Sequence, residues 1–315
     1  MEFQYDRLWA GLTNVVRKIK LPHVESKQPA KSANAKRVST MRSQLVPAYD
    51  KHNVVTDLKD SWRNFLKVVD SLEEQSFDLP TSCPNWSVRD IVAHVVGVEK
   101  TLLGEPTPEV VIAEQSHIKN PIGAMNERWV VELHSLDTVD LTTVLHETLL
   151  QRQLAVETLD ESDFQKLGWS PIGDVPYARF MSIRVFDIWV HEQDIREATG
   201  NLGGTDTAAA RRAYLEAVAN MGYVVAKKAA LQSDAVVGFH IVGAAPFSVA
   251  FKDGRGVVVA PQKNESCSIG MEMSVYMRLI AGRVDPSASP IREHVELKGD
   301  IDQAEQVIRN LAFTV

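Results

Sequence analysis

Cysteine is scarce in this chain: 315 residues contain two, Cys83 and Cys267, and no Cys-x-x-Cys pair. That scarcity excludes a disulfide-stapled secreted scaffold and a structural zinc knuckle, and it fits a reducing cytoplasm. Long apolar runs are missing too, since no stretch approaches the roughly 18 uninterrupted apolar residues of a membrane span. The best N-terminal candidate, residues 8–16, is broken by Thr13 and Asn14, and its basic cluster Arg17-Lys18-Ile19-Lys20 follows the apolar run instead of preceding it. A cleaved signal has the opposite polarity. Basic charge is also short once the first 42 residues are set aside: that segment holds nine Lys and Arg against three acids, so the remaining chain carries −13 of the net −7. An acidic body offers no clustered cations for phosphates, and nucleic acid is not an expected partner outside the tail.

What is present is ordinary globular composition, 44% hydrophobic and 24% charged, in a chain long enough for two domains. Residues 24–40 are rich in Lys, Ser, Ala and Pro without periodicity, so residues 1–45 read as a disordered basic extension, with Met41 an alternative start. Beyond it, Leu58, Trp62, Phe65, Leu66, Val69 and Leu72 recur at intervals of three and four, the stripe of a helix with one buried face. Ser87-Val88-Arg89-Asp90 has the form of a capping box and should open a second helix on which Ile91, Val95 and Val98 share a face with His94. A third helix, or a pair, is expected over 125–159, a loop or short hairpin over 168–176, and a fourth long helix over 177–199 that stops at Gly200. Four long amphipathic helices make a bundle the natural expectation.

Composition changes after Gly203-Gly204. A helix from 207 to about 231 precedes short strands over 236–242, 247–251 and 256–260, with Asp253-Gly254 as the turn between the last two. A helix over 273–281, a strand over 294–298 and a helix over 301–311 complete an α+β module. The expected organisation is therefore extension 1–45, bundle 46–203 and α+β domain 204–315.

Three polar residues interrupt the apolar helix faces. Asp187 and His191, four apart, share one face of the fourth helix, and His94 lies on the second. Two imidazoles and a carboxylate with a position left open suit a catalytic divalent metal such as zinc. Unrelated polar residues at a helix surface are the bland alternative, and spacing alone leaves both open. Asp194 is placed either to accept a hydrogen bond from a ligand imidazole or to anchor a neighbouring segment. Arg184 is placed either to contact substrate or to pair with Asp187. Cys83, just before a helix N-terminus, reads as a buried packing residue more than a nucleophile. Trp86, Trp129, Trp169 and Trp189 read as core or cleft wall, and His117, His134, His146, His240 and His294 have no partner at ligand spacing. Asp253-Gly254-Arg255-Gly256 reads as a turn and not a phosphate loop.

The run from Cys83 to Val95, CPNWSVRDIVAHV, resembles the N-terminal helix signature of the mycothiol-dependent maleylpyruvate isomerase family, which shares its bundle with DinB-like metalloproteins. The run from Arg184 to Asp194 resembles that family's second metal-binding helix, and Ile280-Ala281-Gly282-Arg283 its C-terminal arginine motif. In order and separation the matches extend over residues 55–315. The resemblance implies a DinB-like four-helix bundle with a C-terminal sterol-carrier-like α+β domain, zinc ligands at His94, Asp187 and His191, and an active-site cation at Arg283. It further implies mycothiol as thiol cosubstrate and a small electrophile or dicarboxylate as substrate, with isomerase or S-transferase chemistry. A cytoplasmic monomer needing neither nucleic acid nor membrane is the expectation. The family's isomerase has glutamate where this chain has Asp187, which leaves ligand chemistry intact but shortens the carboxylate arm by one methylene. A non-catalytic metal-binding or small-ligand-binding module is the alternative reading.

Overall fold

A computed structural model describes residues 45–115 and 117–314; the expected extension over 1–45 lies outside the described residues except for Leu45. The chain divides into two compact units, one built on residues 49–210 and the other on 211–314.

The first unit is helical. Helix α1 (Lys51–Val69) starts at Asp50, whose carboxylate accepts from the Asn53 backbone N–H, and buries Val54, Leu58, Trp62, Phe65, Val68 and Val69. The expected stripe is therefore correct at its centre and shifted at its end: Leu66 is half-buried and Val68 takes the inner position, while Leu72 falls beyond the helix. Helix α2 (Val88–Leu102) begins with the capping box read from the sequence, Ser87 accepting from the Asp90 N–H and Asp90 from the Ser87 N–H. Two orphan donors of the first turn are thereby satisfied reciprocally.

The region 125–159 resolves into two helices, α3 (Pro121–Leu133) and α4 (Thr138–Thr158), the second capped by Asp137. A short helix α5 (Glu161–Phe164) and a two-residue hairpin, β1 (Leu167–Gly168) with β2 (Val175–Pro176), lead to α6 (Tyr177–Thr199). Gly200 ends α6 with φ +68°, the left-handed cap its sequence announces.

Helices α1, α6, α2 and α4 form a closed ring in which each packs on the next: α1 on α6, α6 on α2, α2 on α4 and α4 on α1. This is the expected four-helix bundle, with α3 added outside it against α2. The approach of α3 is close because Gly97 has no side chain; a Cβ there would meet Trp129 Cβ at 2.3 Å. The expectation of amphipathic helices fails for α2 and α6. Twelve of fifteen residues of α2 and fifteen of twenty-three of α6 are buried. A helix covered on most sides must carry any polar residue into the interior.

The second unit is α+β. Helix α7 (Ala208–Tyr223) runs on as a π-helical turn (Val224–Lys228), and five strands follow: β3 (Val236–Val242), β4 (Phe247–Lys252), β5 (Arg255–Val259), β6 (Cys267–Glu272) and β7 (Val295–Gly299). Their order is β5-β4-β3-β6-β7, antiparallel except for the parallel β3–β6 pair. Asp253 and Gly254, both with positive φ, make the β4–β5 turn.

Strand β6 was not expected from the sequence and is an interior member of the sheet, between β3 and β7. Its alternation is real, with Cys267, Ile269 and Met271 buried, but Ser268 and Gly270 between them are weak strand formers that hide the period. Helices α8 (Met273–Ile280) and α10 (Ile301–Ile308) pack on β6, and a short helix α9 (Ser289–Arg292) precedes β7. The interior is apolar and aromatic: Phe239 and Phe247, opposite each other on β3 and β4, stack at 4.7 Å between centroids, and Tyr276 stands edge-on to Phe239. No helix among the described residues is long and apolar enough to cross a membrane.

Candidate metal centre

Because α2 and α6 are ring neighbours, His94 of α2 comes beside Asp187 and His191 of α6. One potential ligand atom from each of the three lies within 4.8 Å of the other two. His94 Nε2 is 3.4 Å from Asp187 Oδ2, and His191 Nε2 is 3.7 Å from Asp187 Oδ1. Both histidines are buried, whereas the Asp187 side chain is 34% exposed. Solvent therefore reaches the cluster through its carboxylate.

The second nitrogen of His191 is accounted for. Its Nδ1 lies 3.0 Å from Oδ2 of the buried Asp194, which fixes that nitrogen as an N–H donor and turns Nε2 toward Asp187. Of the two roles open to Asp194, holding the imidazole is the one its geometry supports. His94 has no such second partner: Nδ1 is buried without a hydrogen bond. Burial pushes the His94 pKa down to about 4, against the raising influence of Asp187, so this imidazole is neutral near pH 7 and its Nε2 can donate a lone pair.

Arg184 pairs with Asp187, donating from Nη1 to Oδ2. It is also held from behind. Glu99 of α2, wholly buried, accepts from Arg184 Nη2 at 2.9 Å and, through its other oxygen, from Arg152 Nε of α4 at 2.7 Å. Burial alone would raise the carboxyl groups of Glu99 and Asp187, but the guanidiniums beside each hold both below the ordinary range. Burial would likewise lower Arg184 and Arg152, but Glu99 and Asp187 hold Arg184 raised, and Tyr177 together with Glu99 holds Arg152 raised. The result is a buried ionic chain, Arg152–Glu99–Arg184–Asp187, tying three bundle helices to the cluster.

Trp86 closes one side. Its ring centroid lies 5.0 Å from that of His94 and 6.1 Å from that of His191, and the two imidazoles meet edge-on at 4.6 Å. The indole N–H donates to Glu127 Oε2 at 3.1 Å, and that carboxylate also faces His117 Nε2 at 3.2 Å. Trp86 is thus cleft wall, whereas Trp129 and Trp189 are core. The reading of Cys83 as buried is corrected: it is partly exposed, on a turn in which Thr81 and Trp86 bond across it. His134 and His146 pair with Asp90 and Asp70 at the bundle surface, and His240 with Glu265 in the second unit. Arg283 belongs to the second unit, where its guanidinium donates to the Ala281 carbonyl.

The donor set suits a divalent cation. Asp187, Asp194 and Glu99 outnumber Arg184 and Arg152 by one around the two imidazoles, so the side chains gathered here are rich in groups that bind a cation. Three converging nitrogen and oxygen donors with one side toward solvent would leave a coordination position open on an ion held there. Glu99 and Arg152 were not singled out from the sequence. Both left a signal there: Glu99 lies among Val95, Val96 and Val98, and Arg152 continues the apolar stripe of Leu145, Leu149 and Val156.

Residues 58–196 match the family model described as the mycothiol maleylpyruvate isomerase N-terminal domain, and residues 224–311 that of the SCP-2 sterol transfer family. Among solved structures, the crystal structure of a mycothiol-dependent maleylpyruvate isomerase is similar with TM-score 0.50 and 12% identity, covering 79% of this chain and 92% of that one. A mutant of that isomerase aligns with TM-score 0.49 and 13% identity over the same shares. At these identities the likeness is one of fold. No curated protein matches the chain significantly in sequence.

Proposed function

We propose that this chain, whose helical unit matches the mycothiol maleylpyruvate isomerase N-terminal domain over residues 58–196 and whose later part matches the SCP-2 sterol transfer family over 224–311, is a metalloenzyme that uses a low-molecular-weight thiol, mycothiol, against a small electrophile. The observation that carries this reading is the convergence of His94, Asp187 and His191 on one point, with Asp194 orienting His191 and the carboxylate side open to solvent. His94, Asp187 and His191 would hold the ion, zinc being the divalent metal that best suits this nitrogen and oxygen donor set. A divalent ion held there supplies the Lewis acidity that keeps a thiol sulfur deprotonated at neutral pH.

The residues of this chain do the rest. His94 stays neutral, so its lone pair is not lost to a proton. Asp194 keeps the His191 proton on Nδ1. Trp86 walls the imidazoles with an apolar ring and limits the site to an approach past Asp187.

The reaction is an addition and elimination. The thiolate adds to one carbon of a cis alkene conjugated to a carbonyl, and the electron pair moves onto the carbonyl oxygen as an enolate. The former double bond, now single, rotates; the enolate then expels the thiolate and leaves the trans alkene, with the thiol recovered. If a proton reaches the enolate carbon first, the product is the thioether and the activity is S-transfer. The role that resemblance gives to Arg283 is to stabilise a substrate carboxylate or the developing enolate.

Zinc analysis of the purified protein, together with thiol-dependent turnover of a cis-unsaturated dicarboxylate, tests the proposal. About one zinc per chain is expected in the wild type, with loss of metal and turnover in His94→Ala. Unchanged metal stoichiometry in Asp187→Ala would remove Asp187 from the ligand set. The SCP-2 match favours a second reading, a carrier of small apolar ligands without catalysis; zinc bound by a wild type inert toward every electrophile tried would establish that reading over the enzymatic one.

A further inference from the structure

Asp187 has two oxygens, and they are not equivalent. Oδ2 accepts from Arg184 Nη1 and also faces His94 Nε2 at 3.4 Å, while Oδ1 faces His191 Nε2 without a guanidinium. Arg184 is not a loose surface arginine that happens to reach. It is buried, and its Nε and Nη2 are both committed to Glu99 Oε1, at 3.3 and 2.9 Å. Glu99 is in turn fixed by Arg152, which is itself buried against Met181. A guanidinium held on two edges has one orientation.

We infer that Arg184 is a positioning residue that occupies one oxygen of Asp187 and so restricts this carboxylate to a single donor atom for a metal, keeping a further coordination position open for a second ligand. The inference rests on the metal reading above and deepens it. It also gives the short acid a reason. Arg184 stands three residues before Asp187 on the same helix, one turn away, where an aspartate carboxylate held close to the helix meets it directly; a glutamate would carry its oxygens one methylene farther out. A free carboxylate beside a divalent ion can close down through both oxygens and fill the position a thiol needs. In an aspartate with one oxygen already bonded to a buried cation, that oxygen has given one lone pair and part of its charge to the guanidinium and is held in place by it, so closing down through both oxygens is disfavoured. The chain Arg152–Glu99–Arg184 therefore sets coordination number from beyond the ligands, as outer partners of metal sites do.

The test uses the full chain loaded with Co(II), whose visible absorption reports coordination number, and Co(II) affinity by competition with a chelator. In Arg184→Met the visible bands should weaken and shift as the second oxygen joins the ion, and affinity should change by about 10-fold or more, the scale on which outer partners act. Arg184→Lys keeps the buried charge without the two-edged grip and should restore affinity in part while leaving the spectrum intermediate. Glu99→Gln, which loosens Arg184 without touching it, should shift the spectrum in the same direction as Arg184→Met. Circular dichroism shows which variants fold; should Arg184→Met not fold, Arg184→Lys and Glu99→Gln decide. Wild-type spectra and affinities in the folded variants overturn the positioning role and leave the metal site standing. A wild type that takes up no Co(II) and holds no zinc overturns the metal reading and this inference with it.

Discussion

The two units bury different things. The helical unit places Glu99, Arg152, Arg184, Asp194 and His191 in its interior, each under a tenth exposed, while the sheet unit packs Phe239, Phe247, Ile269, Tyr276 and Leu279 at its centre and, among the described residues, buries charge only at Arg212 and Glu216 of α7. Apolar burial at about 25 cal/mol per Å² stabilises without regard to direction, whereas buried charge stabilises only when every partner is present and correctly aimed. The bundle has accepted the less forgiving arrangement, and it is the bundle that holds the candidate site. Interiors that contain ionic chains are rigid in orientation, which is what a three-ligand centre needs and what a greasy core does not supply.

The sharpest way to break the comparison is to remove one link of the ionic chain. Glu99→Ala strands two buried guanidiniums and should cost the bundle about 3–5 kcal/mol, read as a lower urea midpoint. A loss within experimental error would mean that the chain is dispensable and that the two interiors are alike. Phe239→Ala in the sheet unit should cost about 3 kcal/mol by cavity formation, with zinc stoichiometry unchanged, since no charged partner is orphaned.

The next effect is one of sign with pH. In metal-free protein, His94 is held neutral down to about pH 4 whereas its unfolded counterpart takes a proton near 6.5, so the bundle should lose stability as pH falls from 6.5 toward 4. Asp187, held below its ordinary value by Arg184, adds to the loss below about 3.8. The sheet unit should fail on the other side. Burial pushes the Cys267 thiol up to about 11, so its contribution is intact below the unfolded value of 9.0 and is lost as pH rises through the folded one. Thermal scans of the metal-free protein against pH, repeated with His94→Gln and Cys267→Ala, check both arms; each substitution should flatten one arm and leave the other.

The smallest effect is the one the units share. Ser87 caps α2 and Asp300 caps α10, each accepting from a backbone N–H of the first turn. Alanine at either should cost about 1 kcal/mol in chemical denaturation, whatever the character of the interior beneath.

These contrasts also explain what the sequence could disclose. Local signals were readable: the Ser87–Asp90 box, the Gly200 stop, the Asp253-Gly254 turn and the four-residue interval between Asp187 and His191 each depend on neighbours along the chain. His94 needed its helix to be apolar, and that too was visible. The partners of Arg184 were not, because Glu99 and Arg152 lie 85 and 32 positions before it and meet it only when three helices close the ring. The charge inside each apolar stripe announced a buried pair without saying with whom. Strand β6 was lost for another reason: Ser268 and Gly270 weaken an alternation that the parallel neighbour β3 completes from 30 residues away.

That parallel neighbour imposes an order of assembly. Strands β3, β4 and β5 can zip as hairpins while the chain is still being synthesised, but the free edge of β3 must wait until residues 267–272 have emerged before it is covered. Until then one edge of β3, whose sequence VVGFHIV is apolar at five of seven positions, stands without its neighbour, a template for other chains. A nascent chain stalled between Val259 and Glu272 therefore exposes an apolar strand edge that the emergence of β6 covers.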